Sequence, residues 1–232
     1  MLEVNHIDQY YGGSHTLRDV SLTVRSGDVM ALLGRNGVGK TTLLKCLMGV
    51  LPVAAGDVRF EGADITRLAP HRRAARGMAY VPQGRDIFAR LTVEENILMG
   101  MATRSGRDAR RIKGEIFELF PVLRTMLARR GGDLSGGQQQ QLAIARALVA
   151  EPKLIILDEP TEGIQPSIIQ DMARTLKRIR DERGLSIMVS EQVLSFVMDV
   201  ADRILVIEKG EIVHEEAGEG ANQEKIAGYL SV

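Results

Sequence analysis

Residues 29–42 read VMALLGRNGVGKTT, and this stretch determines the class of fold. Residues 29–33 form a continuous apolar run, which is typical of a strand buried on both faces of a parallel sheet. Residues 34–41 match G-x-x-x-x-G-K-[ST], a loop whose backbone N–H groups converge on phosphate oxygens. An apolar helix is predicted over 41–48, and its N-terminus would add a partial positive charge to the loop. This order of strand, loop and helix is typical of nucleotide-binding α/β proteins.

The residue types in this loop suit a nucleotide and a metal ion. Glycine lets the backbone curl around a phosphate group. Lys40 would reach the β- and γ-phosphates, and Thr41 would offer its hydroxyl to Mg²⁺. We therefore expect ATP and Mg²⁺ as cofactors. The candidate nucleotide-binding residues of the loop are Gly34, Asn36, Gly37, Gly39, Lys40, Thr41 and Thr42.

Two acidic residues follow a second apolar run. Leu154–Leu157 predicts a buried strand that leads directly into Asp158 and Glu159. Open parallel sheets bind their ligands at the carboxyl ends of the strands. Asp158 fits the carboxylate on the Mg²⁺ side of a phosphate-loop nucleotidase, and Glu159 fits a base that polarises the attacking water. The plain alternative is a solvated Asp-Glu turn before Pro160.

The segment LSGGQ at 134–138 indicates a second anion site at the start of a helix. A serine hydroxyl, free backbone N–H groups and the positive end of a helix dipole suit phosphate oxygens. The plain alternative is a serine N-cap followed by glycines. Because the first loop already accounts for one nucleotide, this site would contact a different one. Its candidate residues are Ser135, Gly136, Gly137 and Gln138.

Composition places the chain among ordinary packed proteins. Its 232 residues, 44% of them apolar and 26% charged, suit one large α/β domain. The 30 Lys and Arg balance the 30 Asp and Glu, so no overall positive charge favours nucleic acid, and we expect none as a partner. The single cysteine, Cys46, excludes an internal disulfide and fits a reducing compartment. No targeting segment or bilayer-spanning run is evident, so we expect a cytoplasmic chain.

Periodicity divides the chain into strand-rich and helical parts. Alternating apolar residues over 2–4 and 20–24 predict an antiparallel β layer. The pattern is helical from Thr92, where a capping box begins, to about Ala150.

The last third returns to strands. Strands over 154–157 and 187–189, with a helix from about Pro166 to Arg183 between them, imply parallel pairing. A hairpin is predicted over 204–215, with Lys209-Gly210 as its turn.

Three motifs together resemble one family. GRNGVGKTT at 34–42 looks like the Walker A motif, LIILDEP at 154–160 looks like Walker B, and LSGGQ at 134–138 looks like the signature of the ATP-binding subunits of ABC transporters. The resemblance covers nearly the whole chain. It implies an α/β phosphate-loop NTPase with a RecA-like parallel core, an N-terminal antiparallel β layer and a helical insert.

The resemblance also implies a division of the chain and roles for further residues. A single ABC ATPase domain over 1–232 would have its catalytic core at about 1–90 and 151–232 and its helical subdomain at about 91–150. In the family, two subunits meet head to tail, and each LSGGQ segment closes on the γ-phosphate held by the partner.

Three more residues take candidate roles from the resemblance. Gln83 falls where a family glutamine meets Mg²⁺ and the attacking water. Tyr11 falls where an aromatic ring stacks on adenine, although a core tyrosine fits its position equally well. Gln192 stands where most relatives have a switch histidine. Its amide cannot carry a proton but can still donate a hydrogen bond to the γ-phosphate. Two further departures, Ser190 and Gln141, are assigned no effect from the sequence.

Four longer segments are similar to those of the branched-chain amino acid importer group, and particularly to its urea-transporter ATP-binding subunits. They are GRNGVGKTTLLKC at 34–46, VPQGRDIF at 81–88, GGDLSGGQQQQLAIARAL at 131–148 and DEPTEGIQPSII at 158–169, and the last two are the most discriminating. This implies uptake of urea or of branched-chain or neutral amino acids through two transmembrane permease subunits, with a periplasmic binding protein acting indirectly. The chain would lie on the inner face of the plasma membrane. A groove for the permease is expected around 84–100, with Phe88, Leu91 and Ile97 as weak candidates for its lining. Residues of these types are more often found in a core.

Two other classes of function remain open at this point. A non-transport ABC-type ATPase could act as a mechanical clamp in repair, translation or division. A small-molecule kinase on a phosphate-loop fold is the third hypothesis, but a kinase predicts no LSGGQ segment.

Overall fold

The computed structural model describes residues 1–102 and 112–230 of the chain. The strands are β1 Leu2–Tyr11, β2 Ser14–Val24, β3 Val29–Leu33, β4 Ala55–Phe60, β5 Ala63–Asp64, β6 Met78–Val81, β7 Leu154–Asp158, β8 Ser186–Glu191, β9 Arg203–Glu208 and β10 Glu211–Ala217. The helices are α1 Lys40–Leu47, α2 Pro70–Ala75, α3 Val93–Met99, α4 Gly114–Leu119, α5 Pro121–Arg124, α6 Gly136–Leu148, α7 Pro166–Arg183, α8 Leu194–Val200 and α9 Gln223–Leu230.

The larger sheet has the strand order β10-β9-β3-β8-β7-β6. The strands β9, β3, β8, β7 and β6 are parallel, and β10 joins antiparallel at one edge. All five residues of β3 are buried, as the apolar run over 29–33 predicts. Strand β7, helix α7 and strand β8 follow one another as expected, and the two strands pair directly. The predicted α/β class with a parallel core is therefore confirmed.

The N-terminal layer is a separate antiparallel sheet with the order β2-β1-β4-β5. Its inward side chains pack with α1 and with Met30 and Leu32 on one face of β3. The alternate residues Val29, Ala31 and Leu33 face the other core, which α6, α7 and α8 cover. Because successive side chains of a strand point to opposite faces, β3 anchors both cores at once. The predicted antiparallel layer is thus present and packs over the helix that follows the phosphate loop.

Between β6 and β7, the described part of the chain is helical. Thr92 caps α3 with a complete capping box, in which the Thr92 hydroxyl accepts from the Glu95 backbone N–H, as predicted. Residues 103–111 of the predicted helical insert lie outside the described residues. No helix in the part of the chain that the structure describes is long and apolar enough to cross a bilayer.

One predicted turn is confirmed, and one short helix lies where the sequence predicted none. The predicted hairpin joins β9 to β10 through Lys209 and Gly210, whose φ angles of 49° and 84° are the positive values that a two-residue turn of this kind requires. The arginine-rich segment 67–76, for which the sequence predicted no helix, contains helix α2. Arg73 of this helix is 2% exposed and donates to the Cys46 and Leu47 carbonyls at the end of α1.

Candidate active site

The phosphate loop needs glycine at particular positions. A Cβ atom at Gly34 would lie 2.6 Å from the Ile207 carbonyl oxygen, so no larger residue fits between β3 and β9. Gly37 and Gly39 have φ angles of 81° and 112°, values that residues with a side chain rarely adopt. Helix α1 begins immediately afterwards, at Lys40. The loop therefore curls as a phosphate cradle requires.

One cleft collects most of the loop candidates. It is lined by Thr16, Asn36, Gly37, Gly39, Lys40, Thr41, Thr42, Gln83 and Glu159. The structure thus brings the loop together with Gln83 and Glu159, which are far away in the sequence. Two of the candidates from the loop and from β7 do not line the cleft. Gly34 is the first residue of the loop, and Asp158 is the last residue of β7.

Lys40 and Glu159 form a buried ion pair inside the cleft. The Lys40 Nζ atom lies 2.9 Å from Glu159 Oε1, and the two side chains are 3% and 6% exposed. Nζ also donates to the Gly34 and Arg35 carbonyls at 2.8 and 2.9 Å. Its three protons are therefore all directed at oxygen atoms. A phosphate entering the cleft would compete with the carboxylate for this cation.

Asp158 is held by a hydroxyl on each of its oxygens. The Tyr80 hydroxyl donates to Oδ2 at 3.1 Å, and the Ser190 hydroxyl donates to Oδ1 at 2.6 Å. Asp158 is 1% exposed. Burial and the neighbouring carboxylate raise the pKa of Tyr80 well above its ordinary value, so the phenol remains a donor.

The backbone of Glu159 is in the left-handed region, with a φ angle of 45°. Its N–H donates to the Ser190 carbonyl at 3.0 Å, and it also lies 3.3 Å from the Ser190 hydroxyl oxygen. Such a conformation costs free energy for a residue with a side chain. Here it turns the Glu159 carboxylate from the end of β7 toward Lys40.

Gln83 lies beside the candidate base. Its Nε2 atom donates to Glu159 Oε2 at 3.3 Å and to Glu162 Oε2 at 3.1 Å. The metal candidates Thr41, Gln83 and Asp158 offer a hydroxyl, an amide oxygen and a carboxylate. Such hard oxygen donors suit Mg²⁺, which completes its shell with waters and substrate phosphates. The donor set therefore fits the expected ion.

The LSGGQ segment opens α6 but does not reach the cleft of its own chain. Ser135 is the N-cap, and its hydroxyl accepts from the Gln138 backbone N–H at 3.4 Å. Gln138 Oε1 in turn accepts from the Ser135 N–H at 3.0 Å, so this side chain is occupied in capping the helix. A Cβ atom at Gly137 would lie 2.9 Å from Ile168. The LSGGQ segment, proposed as a second anion site, is therefore separate from the phosphate-loop cleft within this chain.

Gln192 is exposed just after β8 and is not among the residues that line the cleft. Its backbone N–H donates to Glu191 Oε2 at 3.0 Å. Glu191 is 1% exposed and also accepts from the backbone N–H and the hydroxyl of Thr161, at 2.9 and 2.6 Å. Burial raises the pKa of Glu191 above its ordinary value. Glu191 thus ties the segment after Glu159 to the segment that carries Gln192.

Tyr11 stands apart from the phosphate cleft. It ends β1 opposite Ser14, is half-exposed, and does not line the cleft among the described residues. Its neighbour Tyr10 stacks on His15. From the same hairpin, Thr16 reaches the cleft, a position the sequence did not single out. Adenine stacking by Tyr11 therefore stays a prediction.

An apolar groove of about 480 Å³ lies between α2, β6, α3 and α6. Of the three weak candidates for such a groove, Phe88 lines it and is 44% exposed. Leu91 is not among the lining residues. Ile97 does not line the groove but is fully buried in the larger core, which was the alternative for its position. Arg146 of α6 lies over the Phe88 ring and donates to the Asp86 carbonyl at 2.7 Å, which fixes the segment after Gln83 against α6.

Sequence reasoning missed Tyr80, Ser190 and Glu191. The only available signal was indirect. Ser-Glu-Gln at 190–192 departed from the Val-Glu-Gln usual in the resembled group, and Tyr80 stood three residues before Gln83. Neither pattern reveals that the hydroxyls meet Asp158.

Known proteins match this chain along most of its length. The model of the ABC transporter family matches residues 17–162. The high-affinity branched-chain amino acid transport ATP-binding protein BraG of Pseudomonas aeruginosa is 40% identical over 218 residues, 94% of this chain and 93% of that protein. The lipopolysaccharide export system ATP-binding protein LptB of Escherichia coli is 35% identical and covers 91% of this chain, which spans 88% of that protein.

Solved structures share the fold. An ATP-binding cassette of an ABC transporter superposes with a TM-score of 0.87 at 30% identity, covering 100% of this chain and 95% of the other. A dimeric bacterial cassette shares the fold with a TM-score of 0.84 at 24% identity, covering 95% and 100% of the two chains. Taken with the cleft and its motifs, these similarities identify the chain. It belongs to the ABC transporter family, as one of the ATP-binding subunits that hydrolyse ATP.

Proposed function

We propose that this chain powers an importer of branched-chain or related neutral amino acids. The observation that carries the proposal is the similarity to BraG, the relative named above for branched-chain amino acid transport, which extends over nearly the full length of both chains. Urea is the second candidate solute, favoured by the resemblance of 131–148 and 158–169 to urea-transporter subunits. The similarity to an export subunit means that the direction of transport is part of the proposal.

The nucleotide would bind in the cleft of the phosphate loop. The γ-phosphate would take Lys40 from Glu159, because a phosphate carries more charge than the carboxylate and would meet the backbone N–H groups of the loop as well. The released Glu159 would then polarise the attacking water, with Gln83 beside it. The amide of Gln192 would donate to the γ-phosphate.

Thr41, Gln83 and Asp158 would hold Mg²⁺ in this arrangement. The ion, when bound, would neutralise charge that develops on the phosphate oxygens. The position of Asp158 at the carboxyl end of β7, directly before Glu159, supports this role.

Two chains would pair head to tail around two nucleotides. The support is that the LSGGQ segment and the phosphate cleft are separate within one chain, although both are suited to phosphate. A second subunit, identical or related, would bring its Ser135, Gly136 and Gly137 to the γ-phosphate. Because the nucleotide would bridge both halves, ATP would favour the closed pair and hydrolysis would release it.

The apolar groove would receive an apolar helix or loop of a permease subunit. Its wall includes Phe88 and the half-exposed Met99. Arg146 joins this wall to the segment that follows Gln83, so a partner in the groove would act on a segment that leads to the cleft. A location on the inner face of the plasma membrane follows from this partnership.

We also propose the division into a catalytic core at about 1–90 and 151–232 and a helical subdomain at about 91–150. Helices α3 to α6 lie between β6 and β7, and β7 returns the chain to the parallel sheet. This arrangement supports the division and leaves the groove at the junction of the two parts.

Purification from the native cell tests the proposal. We expect the tagged chain to co-purify with two multispanning permease subunits and a second ATPase subunit. The binding protein encoded beside it should bind leucine rather than urea. If the binding protein bound only urea tightly, urea would be the solute instead of an amino acid. If the tagged chain were recovered without any membrane protein, the mechanical clamp would be favoured.

A further inference from the structure

Asp158 is held from both neighbouring strands at once. Strand β7 lies between β6 and β8 in the sheet, and Asp158 pairs directly with Ser190 of β8. Tyr80 of β6 approaches from the other side. Each of the two strands thus contributes one hydroxyl to one carboxylate oxygen, at 3.1 Å from Tyr80 and 2.6 Å from Ser190.

This arrangement determines which lone pairs of Asp158 remain available. A carboxylate oxygen has two lone pairs, and each hydroxyl occupies one of them. With both oxygens held, rotation of the carboxylate about its Cβ–Cγ bond would break at least one hydrogen bond. The carboxylate therefore presents its remaining lone pairs in one fixed orientation.

We propose that Tyr80 and Ser190 are positioning residues that orient Asp158 toward the metal ion. The proposal rests on the proposed function, in which Asp158 lies on the Mg²⁺ side of the nucleotide. Partners that orient a metal-binding carboxylate typically change metal affinity 10–100-fold when they are removed. Neither hydroxyl would touch the nucleotide or the reacting atoms.

A purely structural role would have a different signature. If the hydroxyls only satisfied a buried carboxylate, their loss would lower the stability of the fold and weaken nucleotide binding whether or not a metal is present. If they orient Asp158 for the metal, their loss would weaken metal binding and leave metal-free nucleotide binding intact.

The test uses the variants Tyr80→Phe and Ser190→Ala in the full chain. Phenylalanine keeps the ring that lines the apolar groove, and alanine removes only the hydroxyl. Each variant is saturated with ADP, and bound Mn²⁺, as a probe for Mg²⁺, is counted from the electron paramagnetic resonance signal of the free ion. The affinity for ADP in the presence of a chelator is measured separately.

We expect each variant to bind Mn²⁺ about 10-fold more weakly, in line with the usual effect of such partners, while ADP affinity without metal changes less than about twofold. Ser190→Thr, which keeps a hydroxyl, should retain Mn²⁺ binding. If Ser190→Ala does not fold, Ser190→Val, which also lacks the hydroxyl, replaces it in the test. Unchanged Mn²⁺ affinity in Tyr80→Phe and in Ser190→Ala or Ser190→Val would overturn the proposal, and so would an equal loss of metal-free ADP binding.

Matched controls are present in the chain. Ser186 lies on the same strand, is fully buried, and accepts from the Gly27 N–H at 2.9 Å, far from Asp158 in the strand register. Tyr229 stacks on His214 near the C-terminus. Ser186→Ala and Tyr229→Phe should leave Mn²⁺ affinity unchanged.

Failure of the proposed function would look different from failure of this inference. If the unaltered chain binds neither ADP nor Mn²⁺, the proposed function itself fails.

Discussion

The Lys40 ammonium and the Glu159 carboxylate are 2.9 Å apart and almost completely buried. One belongs to the phosphate loop and the other follows β7, so the ion pair joins the group that would hold the γ-phosphate to the group that would activate water. Removing one partner from a buried pair leaves the other charge uncompensated. In the mechanism proposed above, the pair would couple arrival of the nucleotide to release of the base.

Replacing Glu159 with glutamine should separate binding from hydrolysis. The amide keeps the size of the side chain but cannot accept a proton, so we expect ATP turnover to fall about 10²–10⁴-fold, the usual contribution of a general base. ATP binding should be retained, because Lys40 loses its competing carboxylate. Phosphate release and equilibrium ATP binding measure the two effects.

Glu162→Gln provides the control for this variant. Glu162 also accepts from Gln83 but makes no ion pair with Lys40. Its replacement should leave turnover within about threefold of the unaltered chain, since exposed charges contribute little. Near-normal hydrolysis by Glu159→Gln would remove Glu159 from the role of base.

A histidine at position 192 should introduce a new pH dependence. Gln192 does not titrate, so the pH–rate profile of the unaltered chain should contain no limb near pH 6.5, the ordinary histidine pKa, that depends on this position. Gln192→His should gain such a limb if its side chain reaches the γ-phosphate. Hydrolysis rates from pH 5.5 to 8.5 measure it, with Gln192→Asn as the comparison. A limb near pH 6.5 that disappears in Gln192→Asn would contradict the assignment.

Arg73 should be important for stability although it does not line the phosphate cleft. Its guanidinium donates to the Thr66, Cys46, Leu47 and Leu68 carbonyls. Arg73→Met would leave these buried acceptors without a partner, and each such loss costs about 1–3 kcal/mol. We expect the free energy of unfolding to fall by about 3 kcal/mol in urea titrations. The exposed neighbour Arg72 gives the control Arg72→Met, and an equal loss in both variants would refute this role.

Cys46 should report unfolding. It is fully buried, and burial raises the pKa of its thiol to about 11. At pH 8 only about one thiol in a thousand would be ionised, and the thiolate is the reactive form. Because the chain has one cysteine, thiol labelling should follow the denaturant unfolding curve with a single site. Fast stoichiometric labelling of the native chain would show that this helix face is open.

The sequence predicts the elements that have a strong local signal. The apolar run over 29–33 predicts a buried strand, the capping box at Thr92 predicts the start of a helix, and Lys209-Gly210 predicts a hairpin turn. The structure contains all three. The helix from Pro166 to Arg183 has the predicted bounds because proline begins it and Gly184, with a φ angle of 60°, ends it.

The strand–helix–strand order predicted that β8 pairs with β7, but nothing in the sequence predicted that β6 lies on the other side of β7. The contacts of the Tyr80 and Ser190 hydroxyls with Asp158 were not predicted either. Nothing in the sequence predicted a buried role for Arg73, yet helix α2 directs its side chain toward two carbonyls at the end of α1. Ile97 was assigned to the groove because apolar residues on a helix do not by themselves reveal which neighbour they contact. The roles proposed for the site residues stay predictions.

The decisive measurement is a structure of Glu159→Gln with Mg·ATP and its cognate ATPase subunit. We expect a head-to-tail pair in which the hydroxyl of a signature serine lies about 3 Å, hydrogen-bond distance, from the terminal phosphate held by Lys40 of the facing chain. A pair whose signature helices point away from that phosphate, or two chains that stay apart when saturated with Mg·ATP, would contradict the mechanism.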